Sequence, residues 1–123
     1  MPSRKVEDLV PELQKLYNKF HSAMVRAGLD FIVTCTYRSQ EEQNILYAQG
    51  RTTKGPKVTW TLQSKHTDRK AFDIAILLMG KITWSLEYYD QAGSIGESVG
   101  LKWGGSFTNK DRSHFELQGE YRT

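Results

Sequence analysis

The segment Ser64–Ile76, "SKHTDRKAFDIAI", decides the fold, because a charged turn passes directly into an apolar run. The apolar and β-branched residues predict a buried strand over Ala71–Leu78. Asp73 interrupts this run, and a carboxylate inside an apolar strand is unfavourable unless a partner cancels the cost of burying its charge. His66 precedes Asp73 by seven residues, so the intervening turn can bring the two side chains together. The pair raises the question of a functional site at this strand.

Two helices and one strand are predicted before this segment. Apolar residues at helical spacing predict a first helix over about 11–27. The stretch "DFIVTCT", residues 30–36, is rich in β-branched residues and predicts a strand. Ser39 and Glu42 have the spacing of a capping box, which opens a second helix that ends before Gly50.

A third helix and further strands are predicted after the segment. Gly80 turns the chain into a short third strand, and Ser85 can cap a helix over about 86–99. Gly93 and Gly96 weaken that helix by roughly 1 kcal/mol each relative to alanine. The stretches "LKWGG" and "HFELQ" predict the final strands. Because helices and hairpin strands are mixed, we predict an α+β fold with a small antiparallel sheet and about three helices.

Length and composition limit the possible functions. The 123 residues predict one domain, spanning 1–123, with a core that needs no disulfide. Cys35 is the single cysteine, which excludes an internal disulfide, and we predict it to be a small apolar strand residue. The net charge of +3 mildly favours an anionic partner, either nucleic acid or a polyanionic cell wall, although scattered basic residues usually form a solvated surface. No apolar run predicts a membrane span or a secretory signal, so we expect synthesis in the cytoplasm.

Three polar residues lie near the ends of predicted strands: His66 before the strand over Ala71–Leu78, Asp73 within it and His114 at the start of the last strand. Two histidines and one carboxylate can hold zinc and leave a fourth position open. The alternatives are a turn-capping role for Asp73 and a solvated loop position for His66. The same residue types could hold Fe(II) in an oxygenase, but that triad usually has a tighter His–x–Asp spacing.

Two further residues are candidates for catalysis. Asp111 precedes His114 by three residues, close enough to act as a general base beside a metal without ligating it. Arg38 follows the first strand and could stabilise an oxyanion, or it could be a surface arginine next to a helix start.

Three blocks, "YRSQEEQNILYAQGR", "SKHTDRKAFDIAI" and "WGGSFTNKDRSHFELQ", together resemble the phage-type L-alanyl-D-glutamate peptidases. These endolysins belong to the zinc-dependent D-Ala-D-Ala peptidase superfamily, with VanX- and VanY-like enzymes and the Hedgehog-like fold. The resemblance covers about residues 11–118. Its pattern, S-x-H, A-x-D and D-x-x-H, falls here on the residues Ser64 and His66, Ala71 and Asp73, and Asp111 and His114.

The resemblance implies that His66, Asp73 and His114 hold Zn²⁺, that Asp111 is the catalytic carboxylate and that Arg38 polarises the scissile carbonyl. It implies cleavage of the peptidoglycan stem peptide, between L-Ala and D-Glu. From the length of the chain we expect one catalytic domain over residues 1–123, without a separate wall-binding domain. A monomer made in the host cytoplasm would then need a holin-type partner to reach the wall. Relatives often have Asp-Trp where this chain has Ser106-Phe107, and proline where it has Ser113, which affects loop rigidity and substrate fit.

The same residues are compatible with other functions. A D,D-carboxypeptidase or dipeptidase could use the same scaffold, with specificity set by the loops 51–65 and 104–113. A non-catalytic wall-binding module with a structural metal is a further alternative, while no motif predicts nucleic-acid binding. We predict a structural role for His21, and a position for Glu116 on the strand face opposite His114, from which it could still orient a ligand. Three tryptophans are expected in the core or the cleft wall: Trp60, Trp84 and Trp103.

Overall fold

The apolar run over Ala71–Leu78 forms the central strand of a five-stranded sheet. The computed structural model describes residues 2–59 and 61–118. Apart from two short 3-10 helices, the described elements are, in chain order, α1 (Pro11–Arg26), β1 (Asp30–Cys35), α2 (Gln40–Ala48), β2 (Ala71–Leu78), β3 (Lys81–Thr83), α3 (Leu86–Ser98), β4 (Leu101–Trp103) and β5 (His114–Leu117). Over these residues, no helix combines the length and the apolarity that a membrane span requires.

All strand pairs are antiparallel, in the order β1-β2-β5-β4, with β3 also paired to β2. One edge of β2 pairs with β1. The other edge pairs with β5 over residues 71–73 and with β3 over residues 76–78. Tyr89 of α3 fills the gap between these two strands, because its hydroxyl accepts from the N–H of Ile76 at 3.0 Å and donates to the carbonyl of Thr83 at 2.8 Å. The predicted α+β architecture with three helices is confirmed.

The two faces of the sheet have different roles because side chains alternate along β2. Phe72, Ile74 and Ile76 face the core, where Phe72 packs with Phe20 of α1 and Phe115 of β5. All three phenylalanines are fully buried. Burying each such side chain contributes roughly 1.5–3 kcal/mol. The opposite face carries Asp73 and is free to form a site.

The starts of α2 and α3 differ in their capping. At α2 the Ser39 hydroxyl accepts from the N–H of Glu42 at 3.1 Å, and the Glu42 carboxylate accepts from the N–H of Ser39 at 2.8 Å, so the predicted capping box is confirmed. Ser85 occupies the position before α3, but its side chain makes no capping hydrogen bond. The expected side-chain cap is therefore wrong, although the helix begins where predicted.

The glycines of α3 are explained by close packing. A Cβ atom at Gly93 would lie 2.3 Å from the ring of Trp103, and one at Gly96 would lie 2.5 Å from the ring of Phe115. The two glycines thus let α3 approach the sheet. Close packing offsets the low helix propensity that made this helix uncertain.

Candidate active site

The five predicted site residues line one cleft of about 790 Å³ on the side of the sheet that carries Asp73. The loops 51–65 and 104–113 contribute most of its other walls. The predicted residues in the lining are Arg38, His66, Asp73, Asp111 and His114.

The sheet register sets three of the polar groups in a row. Asp73 of β2 lies opposite Cys35 on one neighbouring strand and opposite His114 on the other. A bulge in β1 produces the first pairing, since the register shifts between Val33 and Cys35. The long-range pairing of β2 with β5 thus brings residues 73 and 114 together.

His66 is held by its backbone and by one ring nitrogen. Its N–H donates to the Ser64 hydroxyl at 3.1 Å, which explains a serine two positions earlier. Its Nδ1 lies 2.9 Å from the Thr36 carbonyl oxygen, which can only accept, so Nδ1 carries the proton. Nε2 is buried without a hydrogen-bond partner among the described residues, and it lies 3.2 Å from Oδ1 of Asp73.

His114 is held in a similar way from the other side. Its Nε2 lies 2.8 Å from Oε1 of Glu116, and its Nδ1 lies 3.0 Å from Oδ1 of Asp73. The prediction that Glu116 faces away from His114 is wrong. Residues two apart on a strand share a face, so strand alternation places Glu116 and His114 together. Glu116 is buried and fixes the orientation of the imidazole.

The resulting donor set fits a cation. With a proton on His66 Nδ1 and on His114 Nε2, the remaining lone pair of each ring points at the same carboxylate oxygen of Asp73. Such an arrangement is repulsive unless a positive charge lies between the groups. Imidazole and carboxylate are ordinary zinc ligands, so the residues fit the predicted ion.

The pKa values of the three groups express the same attraction for positive charge. Burial lowers the pKa of His66, but the nearby Asp73 carboxylate, with a smaller contribution from Cys35, outweighs burial and raises the pKa to about 10. Burial also lowers the pKa of His114, which Asp73 and Glu116 raise to about 9. Burial raises the pKa of Asp73, yet the two histidines hold it well below its usual range. A divalent ion at this site therefore competes with protons.

Two overlapping groups in the described residues have the spacing of metal ligands, and both contain Asp73. One adds Cys35 and His66, and the other adds Asp111 and His114. Cys35 is buried as predicted, but its sulfur lies 3.6 Å from Nδ1 of His66. Nδ1 is the nitrogen of His66 that faces the Thr36 carbonyl and not the one that faces Asp73. We therefore assign Cys35 to supporting the His66 ring.

Asp111 lies beside the ligand set at the mouth of the cleft. Its Oδ2 is 4.0 Å from Nδ1 of His114, and about half of its side chain is exposed to solvent. Burial of the other half, followed by the charge of Asp73, raises the pKa of the Asp111 carboxyl. Gly104 permits this position, because a Cβ atom there would lie 2.2 Å from the Asp111 carbonyl oxygen.

Arg38 reaches the cleft from the turn between β1 and α2. Its Nη1 donates to Oε1 of Gln43 at 2.7 Å, and its backbone N–H donates to the His66 carbonyl at 3.3 Å. Arg38 thus lies half-buried in the cleft wall beside the start of α2, with its guanidinium held by Gln43.

Several residues in or next to the cleft were not predicted from the sequence to take part in the site. Gln43 carries a polar side chain on α2 and could have been noticed as a buried amide only with the fold in hand. Phe107 lines the cleft and packs on the His114 ring at a centroid distance of 5.7 Å, so it provides an aromatic cleft wall. Ser113 places its hydroxyl 3.4 Å from Oδ1 of Asp111.

The remaining candidates are accounted for by packing. His21 is exposed on α1 and its ring contacts Tyr17 and Phe31, which agrees with a structural role. Trp103 packs in the core region, whereas Trp84 is 66% exposed, so its expected burial is wrong. Trp60 lies outside the described residues.

Comparison with known proteins places this geometry in a family. Residues 57–117 match the M15 peptidase profile described as D-alanyl-D-alanine carboxypeptidase. The chain is 32% identical to the peptidoglycan L-alanyl-D-glutamate endopeptidase CwlK of Bacillus subtilis (strain 168), over 89% of this chain and 74% of that protein. The chain belongs to the M15 peptidase family. As a member of that family it is a metallopeptidase, and the matched region contains four of the five predicted site residues.

A solved structure shows the same fold. The L-Ala D-Glu endopeptidase ChiX of Serratia marcescens superimposes with a TM-score of 0.78, covering 97% of this chain and 90% of that chain. At 22% sequence identity, the match supports the M15 peptidase architecture and says nothing further about the site.

Proposed function

We propose that this protein is a zinc-dependent endopeptidase of peptidoglycan that cleaves the stem peptide between L-Ala and D-Glu. The observation that carries the proposal is the convergence of His66 Nε2, His114 Nδ1 and Asp73 Oδ1 on one point of the cleft. The similarity to a Bacillus relative with this named activity supports the choice of bond.

The proposed zinc ligands are His66, Asp73 and His114. When bound, the ion would provide Lewis-acid activation of water and of the scissile carbonyl. The remaining functions fall to the protein. Ser64 and Thr36 fix one imidazole and Glu116 fixes the other, so the donors are preorganised before an ion arrives.

Two side chains would act on the substrate. Asp111 would accept the proton of the attacking water and later pass it to the leaving amine, for which its raised pKa is suited. Arg38 would donate hydrogen bonds to the carbonyl oxygen as negative charge develops on it. The loops 51–65 and 104–113 would hold the peptide on either side of these groups.

We further propose a monomer that is made in the host cytoplasm and reaches the wall after release by a holin-type partner. If the protein acts as an endolysin, its release to the wall would be followed by lysis of the host cell.

Digestion of purified muropeptides, followed by mass spectrometry, tests the bond that is cut. The expected product carries a new N-terminal D-Glu or D-isoglutamine, with the glycan chains intact and with no product after chelation. Release of free D-Ala without a new glutamyl amine would instead establish a D,D-carboxypeptidase, the activity that describes the matched family profile. Binding to the wall without any product would establish a binding module.

A further inference from the structure

Gln43 is a fully buried amide that lies next to the cleft and that the proposed chemistry does not use. It occupies the first half of α2. A buried amide is stable only when its donors and its acceptor are satisfied. The partners of this side chain therefore indicate what it does.

The amide orientation follows from those partners. One end lies 2.6 Å from the Thr61 carbonyl oxygen and 3.3 Å from the Thr59 hydroxyl. Because a carbonyl oxygen only accepts, this end is the NH₂ group, and Oε1 is left to accept from Arg38 Nη1 at 2.7 Å. A single side chain thus joins the loop 51–65 to Arg38.

Other contacts of the guanidinium are weaker. Its Nη2 lies 3.6 Å from the sulfur of Cys35, and its Nε is buried without a hydrogen-bond partner in the described residues. A long donor–sulfur contact constrains a side chain less than a 2.7 Å bond to oxygen. Gln43 is therefore the main side-chain constraint on where Arg38 points.

We propose that Gln43 is a positioning residue, which holds the Arg38 guanidinium toward the substrate carbonyl and couples its position to the loop 51–65. The inference rests on the proposed function, in which Arg38 stabilises that carbonyl oxygen. Gln43 itself touches neither the ligand set nor the reacting atoms. A substrate that orders the loop would, through this amide, also set the arginine.

A double-mutant cycle tests the coupling. Gln43→Met keeps the volume and removes both hydrogen-bonding ends, and we expect kcat to fall about 10–10²-fold, because small displacements of catalytic groups are costly. Arg38→Ala is expected to lower kcat by about 10²–10³-fold. If Gln43 acts through Arg38, the double variant is no slower than Arg38→Ala alone. Losses that multiply, or a wild-type kcat in Gln43→Met, would overturn the proposal.

Gln40 supplies a matched control. It lies one turn earlier on α2 and donates to the Leu62 carbonyl at 3.0 Å, so it also bonds the loop, but it does not contact Arg38. Gln40→Ala is expected to keep kcat within about threefold of wild type. An equal kcat loss in both variants would assign the effect to the loop alone.

Gln43→Glu provides a second variant if Gln43→Met does not fold. Its carboxylate still accepts from Arg38 but cannot donate to Thr61. The expected result is a KM raised by more than about threefold, with the guanidinium still restrained. An unchanged KM would contradict the coupling to the loop.

An NMR measurement separates this inference from the proposed function. In protein labelled with ¹⁵N-arginine, the Arg38 guanidinium should rotate slowly in wild type and Gln40→Ala, and rapidly in Gln43→Met. Restricted rotation in Gln43→Met would overturn the positioning role whether or not the enzyme cleaves peptidoglycan. An inactive wild type with the expected NMR pattern would refute only the proposed function.

Discussion

At the scale of single residues, the chemistry depends on which nitrogen of each histidine is free. The Thr36 carbonyl accepts a hydrogen bond from the protonated nitrogen of His66, and the Glu116 carboxylate accepts one from that of His114. The unprotonated nitrogen of each ring therefore faces Asp73. A carboxylate that would otherwise be costly in an apolar strand thereby lies at the centre of a candidate cation site. The position of Asp111 just outside this set suits proton transfer better than ligation.

Replacing Asp111 by asparagine tests that division of labour. Asparagine keeps the size of the side chain but cannot accept a proton, so we expect kcat to fall by roughly 10²–10⁴-fold. Zinc content and thermal stability should stay at the wild-type level, as measured by elemental analysis and a melting curve. Asp68→Asn, in the exposed turn after His66, is the control and should retain full activity. Near-normal turnover in a zinc-loaded Asp111→Asn protein would place the base elsewhere, with Glu116 the next residue to test.

At the scale of elements, helix ends and helix packing make separable contributions. Both predicted N-caps are serines, but only Ser39 has a glutamate three residues on, and only Ser39 accepts a hydrogen bond from its helix. The two glycines of α3 look unfavourable in sequence, yet the aromatic rings of β4 and β5 need the space that they leave.

The capping difference predicts unequal losses of stability. Ser39→Ala should lower the free energy of unfolding by about 1 kcal/mol, because it leaves a helix N–H without its acceptor. Ser85→Ala removes no capping bond and should change the same quantity by less than about 0.5 kcal/mol. Urea denaturation of both variants gives the comparison. Equal losses would show that the Ser39 bond contributes nothing specific.

Packing against Trp103 predicts that a better helix former destabilises α3. Gly93→Ala gains roughly 1 kcal/mol in helix propensity, but its methyl group would meet the indole ring. Overpacking costs about 1–3 kcal/mol, so the net change should be destabilising. Ser94→Ala, on the exposed side of the same helix, should be neutral or slightly stabilising. A stabilised Gly93→Ala in urea denaturation would mean that the ring moves away without cost.

At the scale of the whole molecule, the sheet separates a core from a site. The face with Phe72 and Phe115 packs on α1, and the other face carries Asp73, His114 and Glu116. The proposed ion binding on the second face would therefore depend on the strand pairing that the first face stabilises.

This linkage predicts stabilisation by zinc. Zinc at one hundred times its Kd should add about 2.7 kcal/mol to the free energy of unfolding, and a chelator should remove it. His66→Ala should lose most of the zinc-dependent rise in Tm, whereas His21→Ala, on the exposed flank of α1, should keep it. A full zinc shift in His66→Ala, measured by differential scanning fluorimetry, would contradict the ligand assignment.

The sequence by itself determined the main helices and strands and the candidate metal ligands. Hydrophobic periodicity defined α1 and β2, and the capping box located α2, because these signals depend on neighbours along the chain. The ligand candidates His66, Asp73 and His114 were recognisable by residue type, by spacing and by resemblance to a family.

Only the tertiary structure decided how those residues meet. Three contacts depend on the folded chain. They are the pairing of Cys35 with Asp73 at the bulge in β1, the hydrogen bond from Arg38 to the Gln43 amide, and the hydrogen bond from His114 to Glu116. Glu116 was misplaced through a misapplied alternation, but its partner nitrogen could not have been read from the sequence. Such contacts depend on strand register and side-chain orientation, which arise when the whole core packs.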